Sequence, residues 1–429
     1  MMIENNKIKL QNGEFVTIKK LIGSGAQGYI YRVHMNNQEY ALKVYKHKPS
    51  EQFLTNLEKL IQKKTPSRQY IWPITQLSPN EVQKGYLMPL IPAHYVSFID
   101  LLNGKARFKD LNTMLTWAIN ITSAFQELHM MGYSYQDVND GSFFLDPQSG
   151  DACICDCDNI SENTFNYGII GKMKYMAPEI ITGKHLPDVH SDRYSLAIIL
   201  FQLFTLSHPM VGEHLKKYLY INEQAEFELY GKNPVYVFDQ KTVTNRPIRG
   251  YHYVLLKRWG YIPNFMKEAF NEIFTKGIED REYFRLTELN WMKILMKYRN
   301  ELVTCPICQF QYAGLNENHE HLDTCIHCQA KAPERSILKV DEQYFVIEKG
   351  KFIYESFIDK YSVAHQKKHG VVIQNNLNKH VLGIKNVSSS EWEIEDQEGT
   401  MKKIGFNKTA PLVRGLSITF FDRNKGQIR

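Results

Sequence analysis

Two aspartates define the chemistry open to this chain. The stretch Tyr133–Asn159 reads YSYQDVNDGSFFLD, then a short PQSG turn, then DACICDCDN. It places Asp137 on a loop and Asp156 just after an alternating strand, with Ala152 and Ile154 opposed to Cys153 and Cys155. A hairpin would carry the two carboxylates on adjacent backbone segments. One could take a proton from a hydroxyl while the other holds a divalent metal, the division of labour that phosphoryl transfer requires. Loop aspartates more often just cap turns, so the pair takes its weight from what lies upstream.

Upstream, Phe15-Val-Thr-Ile reads as a strand and leads into LIGSGAQGYIYRV. Gly23, Gly25 and Gly28 form a G-x-G-x-x-G, a turn whose backbone N–H groups can approach phosphate oxygens. A dinucleotide fold needs a helix directly after such a turn. Here YIYRVHMNN and QEYALKVY read as two further strands, the arrangement of a flap over a nucleotide. Lys43 sits in the apolar strand Tyr40-Ala41-Leu42-Lys43 and is read as the cation for the α and β phosphates. Anywhere else, a lysine facing water would be the default. Residues 50–64 have helical spacing (Phe53, Leu57, Leu60, Ile61), and Glu58 is the expected ion-pair partner of Lys43, with Glu51 the alternative.

The rest of the chain must position these groups. At 429 residues, two to four domains are expected. Hydrophobic residues at 43% and charged residues at 23% are those of an ordinary globular protein. No apolar run reaches membrane-spanning length; Tyr194–Leu206 (YSLAIILFQLFTL) is shorter and reads as a buried helix. With no export signal read after MMIENNKIKL, a cytoplasmic location is expected. A net charge of +6 without basic blocks gives no support for nucleic acid. The seven cysteines fall in two clusters, suggesting metal rather than disulfides.

GSGAQG, YALK, YQDVNDGSF, the strand ending in Asp156, and YMAPE (Tyr175–Glu179) stand in the order and spacing of the protein-kinase signature set. The chain thus resembles a eukaryotic-type Ser/Thr protein kinase over roughly residues 15–297. DGSFFLDP, ICD-x-DN, YMAPEI and NPVYVFD…NRPIRGYH resemble a narrower bacterial group. Its members accompany a metal-dependent phosphatase and a von Willebrand factor A-domain protein of the tellurite-resistance type. The resemblance implies ATP with Mg²⁺ or Mn²⁺, and a protein substrate. It makes Gly23, Gly25 and Gly28 the phosphate-covering loop, with Ile30 and Ala41 above the adenine and Lys43–Glu58 the ion pair. Met88 would be the gatekeeper, with the Pro89 carbonyl and the Ile91 N–H at the hinge. Asp137 would be the base, Asp156 the metal ligand, Asp192 the brace of the catalytic loop, and Glu179–Arg285 a structural pair.

Several positions depart from that pattern. Ser142 stands where the family has a metal-binding asparagine, and a hydroxyl is a poorer ligand. Asn139 replaces a lysine, removing one transition-state cation. The D-F-G triplet reads Asp156-Cys157-Asp158; Asp158 is expected to compensate as a Mg²⁺ ligand. Gln136 replaces the arginine before the base, so no phosphorylated segment is needed to neutralise it. Lys172 stands in place of a threonine. Two readings remain open: an active kinase, and a nucleotide-binding pseudokinase acting as a scaffold. Retention of both aspartates, the lysine and the glycines favours activity. A small-molecule kinase is a third class, opposed by YMAPE. Cys153, Cys155 and Cys157 read as small hydrophobic filler rather than redox sensors.

Beyond the kinase-like region, Cys305/Cys308 and Cys325/Cys328 form two C-x-x-C knuckles sixteen residues apart, the pattern of a closed four-thiolate structural Zn²⁺ site. His319, His321 and His327 are surplus to it. From about Ser336, short alternating runs (SILKV, YFVIE, GVVIQ, VLGIKNV, EWEIED, SITFFD) point to a β-sandwich or small barrel. It loosely resembles a degenerate forkhead-associated domain, without that family's phosphothreonine-reading residues. The expected architecture is α+β: kinase N-lobe 1–91, C-lobe 92–300, zinc ribbon 301–333 and all-β domain 334–429. The stretch between Leu206 and Pro263 reads as a loop-rich insertion, either covering the lobe or docking a partner.

Overall fold

The computed structural model describes residues 6–169, 171–362, 364–375, 381–421 and 424–429. The first five residues, read above for an export signal, and Asp422 of the last apolar run lie outside them. The chain forms two compact units. The first comprises the chain up to Lys109 with Thr116–Gly260 and Asn264–Trp291; the second comprises Asp110–Leu115, Tyr261–Pro263 and Met292–Arg429.

The first unit opens with an antiparallel sheet of β1 (Lys7–Lys9), β2 (Phe15–Ser24), β3 (Gly28–Met35), β4 (Gln38–Tyr45), β5 (Thr75–Gln76) and β6 (Gly85–Pro89). Their order is β1-β2-β3-β4-β6-β5. One face of the sheet buries Val16, Ile18, Val33, Leu42, Val44 and Leu87. The other carries Ala41, Tyr45, Tyr86 and Met88 against Phe53 and Leu57 of α1 (Glu51–Ile61). Ser50 caps α1 by accepting from the Phe53 N–H at 3.1 Å. The helix buries Phe53, Asn56, Leu57 and Leu60, so its polar face, with Glu51 and Glu58, points to solvent.

A largely helical lobe follows. The Tyr194–Leu206 run lies within the helix Val189–Thr205 and its cap, Leu206. Its N-cap is Asp188, in a capping box with Ser191. The helix is buried almost all round, which is why its sequence shows a continuous apolar run rather than a stripe. The stretch from Leu206 to Pro263 holds short helical turns, among them Glu213–Lys217 and Tyr253–Trp259.

In the second unit, a hairpin of Leu302–Thr304 and Gln311–Ala313 carries the first cysteine knuckle. Val303, Cys305, Tyr312 and Cys325 pack with Ile337 and Val346, so the ribbon and the strands after it share a core. Those strands form two antiparallel sheets, of six and four strands. Leu338, Ile353, Ile384, Trp392 and Ile418 lie in one core with residues of both. All six apolar runs contribute strands; Phe352–Tyr354, Met401–Ile404, Thr409–Pro411 and Lys425–Ile428 join them.

Candidate active site

Lys43 is 3% exposed, on the face of β4 turned to the helical lobe. Its Nζ lies 3.1 Å from Asp156 and 2.9 Å from Asp158. Burial opposes the charge, but the two carboxylates outweigh it and raise the ammonium's pKa, so Lys43 stays protonated. Glu58 is not its partner. That side chain is exposed and accepts from Gln11 Nε2 at 3.2 Å, while Glu51, 80% exposed, pairs with Lys48. Neither glutamate is on the buried face of α1; the polar residue there is Asn56, which donates to the Ile160 carbonyl at 2.8 Å.

Asp158 takes the place expected of the helix glutamate. Besides Lys43 it accepts from Tyr45 OH at 2.8 Å and Tyr86 OH at 2.9 Å. Burial and the Asp158 charge push both phenols up, so they remain donors. The side chain of Asp158 is wholly enclosed, whereas that of Asp156 is 38% exposed. This corrects the expectation that Asp158 adds a metal ligand: its oxygens are already engaged by three donors, and the exposed carboxylate is that of Asp156. Asp156 has a left-handed backbone (φ 53°) where strand gives way to the turn Cys157–Asn159.

Asp137 is fixed by Asn139, whose Nδ2 donates to its Oδ1 at 3.0 Å and its carbonyl at 2.9 Å. Burial, opposed by Asn139 and helped by the nearby Asp156 charge, raises the Asp137 carboxyl to about 6. Ser142 is fully buried, with its hydroxyl 3.5 Å from the Asp137 carbonyl. The catalytic loop is hung on Asp192, which accepts from the Tyr135 N–H at 2.6 Å and the Gln136 N–H at 3.0 Å. His129 bridges Asp192 and Glu288, at 3.0 Å from each. Gln136 (φ 72°) donates to Ser161 Oγ and the Phe165 carbonyl, a neutral tie to the segment after Asp156. Arg285 forks onto Glu179 at 2.6 and 2.8 Å. Lys172 and Lys174 both pair with Asp140, at 2.8 and 3.1 Å.

In the glycine turn, the Gly25 N–H donates to the Gly28 carbonyl at 2.9 Å. A Cβ at Gly28 would lie 2.7 Å from the Val44 carbonyl oxygen, so β3 can pair with β4 there only through glycine. Ile30, Ala41, Met88 and Ile91 share one apolar cluster with Phe144 and Cys155. Pro89 pairs with Tyr40 at the exposed end of β6. Burial pushes Cys153 up to about 11 and raises the Cys155 and Cys157 thiols as well, leaving packed neutral side chains.

Four residues of the cleft escaped the sequence reading. Gln27 in the glycine turn accepts from Lys43 Nζ at 3.1 Å and donates to Asn159 Oδ1 at 3.3 Å. Asn159 also reaches Asp137 Oδ2, at 3.4 Å. Tyr45 and Tyr86 carried a usable signal: Tyr45 is two residues from Lys43 on the same strand face. Tyr86 is directly opposite Lys43 in register.

In the second unit, Cys305, Cys308, Cys325 and Cys328 bring their Sγ atoms within 4.8 Å of one another. Cys305–Cys328 and Cys308–Cys325 are each 3.7 Å apart. With Zn–S bonds of about 2.3 Å, the edge of a tetrahedral S₄ site is about 3.8 Å, so the cluster fits zinc. The three nearby histidines are engaged elsewhere: His319 stacks on Tyr344, His327 on Phe310, and His321 contacts the Arg335 carbonyl.

A sheet with a glycine flap and buried lysine, set over a helical lobe with two loop aspartates, defines a phosphotransferase class with its chemistry in the cleft between them. Residues 16–292, more than half of the chain, match the protein kinase domain, and the chain belongs to that family. It is 25% identical over 208 residues to the serine/threonine-protein kinase AtPK1/AtPK6 of Arabidopsis thaliana, covering 46% of this chain and 43% of that one. It is 26% identical over 235 residues to human ribosomal protein S6 kinase alpha-4, covering 51% and 29%. The chain thus spans less than half the length of these relatives. Among solved structures, the autoinhibited serine kinase domain of the giant muscle protein titin aligns with a TM-score of 0.48 at 15% identity, over 65% of this chain and 78% of that one. No helix among the described residues is long and apolar enough to cross a membrane.

Proposed function

We propose that the chain transfers the γ-phosphoryl group of ATP to a Ser or Thr hydroxyl of a protein. The observation that carries this is the convergence on one cleft of Lys43 and Asp156, 3.1 Å apart, with Asp137 tied to the same turn through Asn159. Asp137 accepts the proton of the substrate hydroxyl, Lys43 steadies the nucleotide phosphates, and the glycine turn covers them. The exposed carboxylate of Asp156 is the oxygen donor that suits a hard divalent ion here. Asp156 would hold Mg²⁺ or Mn²⁺, which would supply charge neutralisation at the transferred group. The four cysteines would hold a structural Zn²⁺.

The narrower placement belongs to the same proposal. It is a cytoplasmic kinase of the bacterial group that accompanies a metal-dependent phosphatase and a von Willebrand factor A-domain protein. It rests on DGSFFLDP, ICD-x-DN and YMAPEI. Incubation with γ-labelled ATP and Mg²⁺ or Mn²⁺, beside Asp137→Asn, tests the activity. Transfer reduced by about 10²–10⁴-fold in the variant supports it. Nucleotide binding with no transfer by the unmodified chain would instead make it a pseudokinase scaffold.

A further inference from the structure

We propose that Asp158 is the residue that positions Lys43 for the nucleotide, so that the cleft's ion pair is built between the sheet and the metal loop and does not depend on α1. The inference rests on the kinase reading of the cleft and adds to it a residue with a different job from Asp156.

Asp158 follows Asp156 by two residues on the same tight turn, Cys157–Asn159. Its carboxylate is held from the sheet side by three donors on two paired strands: Lys43 and Tyr45 from β4, and Tyr86 from β6. A buried carboxylate is tolerable only when paired and hydrogen-bonded, and here both conditions are met without any group from α1. To the segment that follows this turn the helix contributes a neutral contact, from Asn56 to the Ile160 carbonyl, and no charge. Where a helix glutamate grips the lysine, withdrawing the helix removes the lysine's partner. In this chain the partner remains whatever the helix does.

Asp158 has a second consequence. With Asp158 sharing the Lys43 charge, Asp156 is not its sole counter-ion and keeps an exposed carboxylate for the metal. Without Asp158, Lys43 would keep the neutral Gln27 acceptor but only Asp156 as a counter-charge, and the lysine and the metal would compete for one carboxylate.

The test is a pair of double-mutant cycles on the full chain, read as the Kd for ADP by titration calorimetry without added metal. One cycle combines Lys43→Met with Asp158→Asn; the other combines Lys43→Met with Glu58→Gln. Asp158→Asn and Lys43→Met are each expected to weaken ADP about tenfold, with the double variant no weaker than either, a coupling of about tenfold. Glu58→Gln is expected to leave Kd within about twofold and to show no coupling. In transfer assays Asp158→Asn should lower kcat as well as raise KM for ATP. Additive effects of Lys43 and Asp158, or coupling of Lys43 to Glu58, would overturn the proposal. Failure of the unmodified chain to bind ADP would remove the kinase reading itself, and this inference with it. If Asp158→Asn does not fold, Tyr86→Phe takes its place: it strips one donor from Asp158, and should weaken ADP about threefold. Unchanged affinity there would count against the proposal.

Discussion

Asp192 and Asp158 are both 1% exposed and both hold three donors, yet they anchor different kinds of structure. Asp192 binds two backbone N–H groups of the catalytic loop and an imidazole, and that imidazole is held in turn by Glu288, itself clamped by Arg193 at 2.8 Å. Its hydrogen bonds fix the main chain, in a chain of paired charges with more than one support. Asp158 binds only side chains, an ammonium and two phenols, and it does so from a three-residue turn. The lower brace fixes main chain and belongs to the scaffold. The upper grip hangs on one carboxylate and belongs to the chemistry. Damage to the first should appear mainly as lost stability, and damage to the second mainly as lost nucleotide handling.

Asp192→Asn should cost about 3–5 kcal/mol in chemical denaturation, because it replaces one of two acceptor oxygens by a donor and strips the buried His129 of a counter-charge. A loss below about 1 kcal/mol would show that the lower brace is not structural. Glu179→Gln, which leaves the buried Arg285 without its counter-charge, should cost about 3 kcal/mol with little effect on ADP affinity.

Stability of the lower brace depends on pH. Burial opposes the His129 charge, but Asp192 and Glu288 lift its pKa from 6.5 to about 9. Its contribution, about 3 kcal/mol, is therefore complete below pH 6.5 and lost as pH rises through about 9. Burial also opposes the Glu288 charge, but His129 and Arg193 hold its pKa down from 4.5 to about 2, so its contribution is complete above pH 4.5 and lost as pH falls through about 2. Denaturation midpoints of the unmodified chain should fall between pH 7 and 9 more steeply than those of His129→Gln; parallel curves would refute the assignment. The smallest effect expected is that of Glu58→Gln, about 0.5 kcal/mol or less on the exposed face of α1.

How much of this could be read from the sequence depended on how far apart the partners lie along the chain. The four thiols fall within one short segment, and C-x-x-C spacing alone forces each pair onto one side of a turn. The meeting of Lys43 with Asp156 and the Glu179–Arg285 pair were likewise legible, because motif order places them; the roles read for the glycine turn, Lys43, Asp137 and Asp156 belong to the proposal. The buried partner of Lys43 was not legible. A glutamate in a helix after the lysine strand is the family's usual partner, and Glu58 fitted that expectation by type and position. But Phe53, Leu57 and Leu60 set the buried face of α1 and turn Glu58 to solvent. The carboxylate that meets the lysine comes instead from a position 115 residues later, which no local periodicity reports. Asn159 and Gln27 were missed for the same reason, since they meet only when the glycine turn closes over the metal loop.

Asp137 is proposed as the proton acceptor in a phosphoryl transfer carried out in this cleft. Measuring kcat/KM for γ-phosphoryl transfer to a protein Ser or Thr between pH 5 and pH 8 tests it most directly. A base raised to about 6, chiefly by burial, must lose its proton to act, so the rate should plateau above that pH and fall about tenfold per pH unit below it. A rate independent of pH across this range, or undiminished in Asp137→Asn, would contradict the claim.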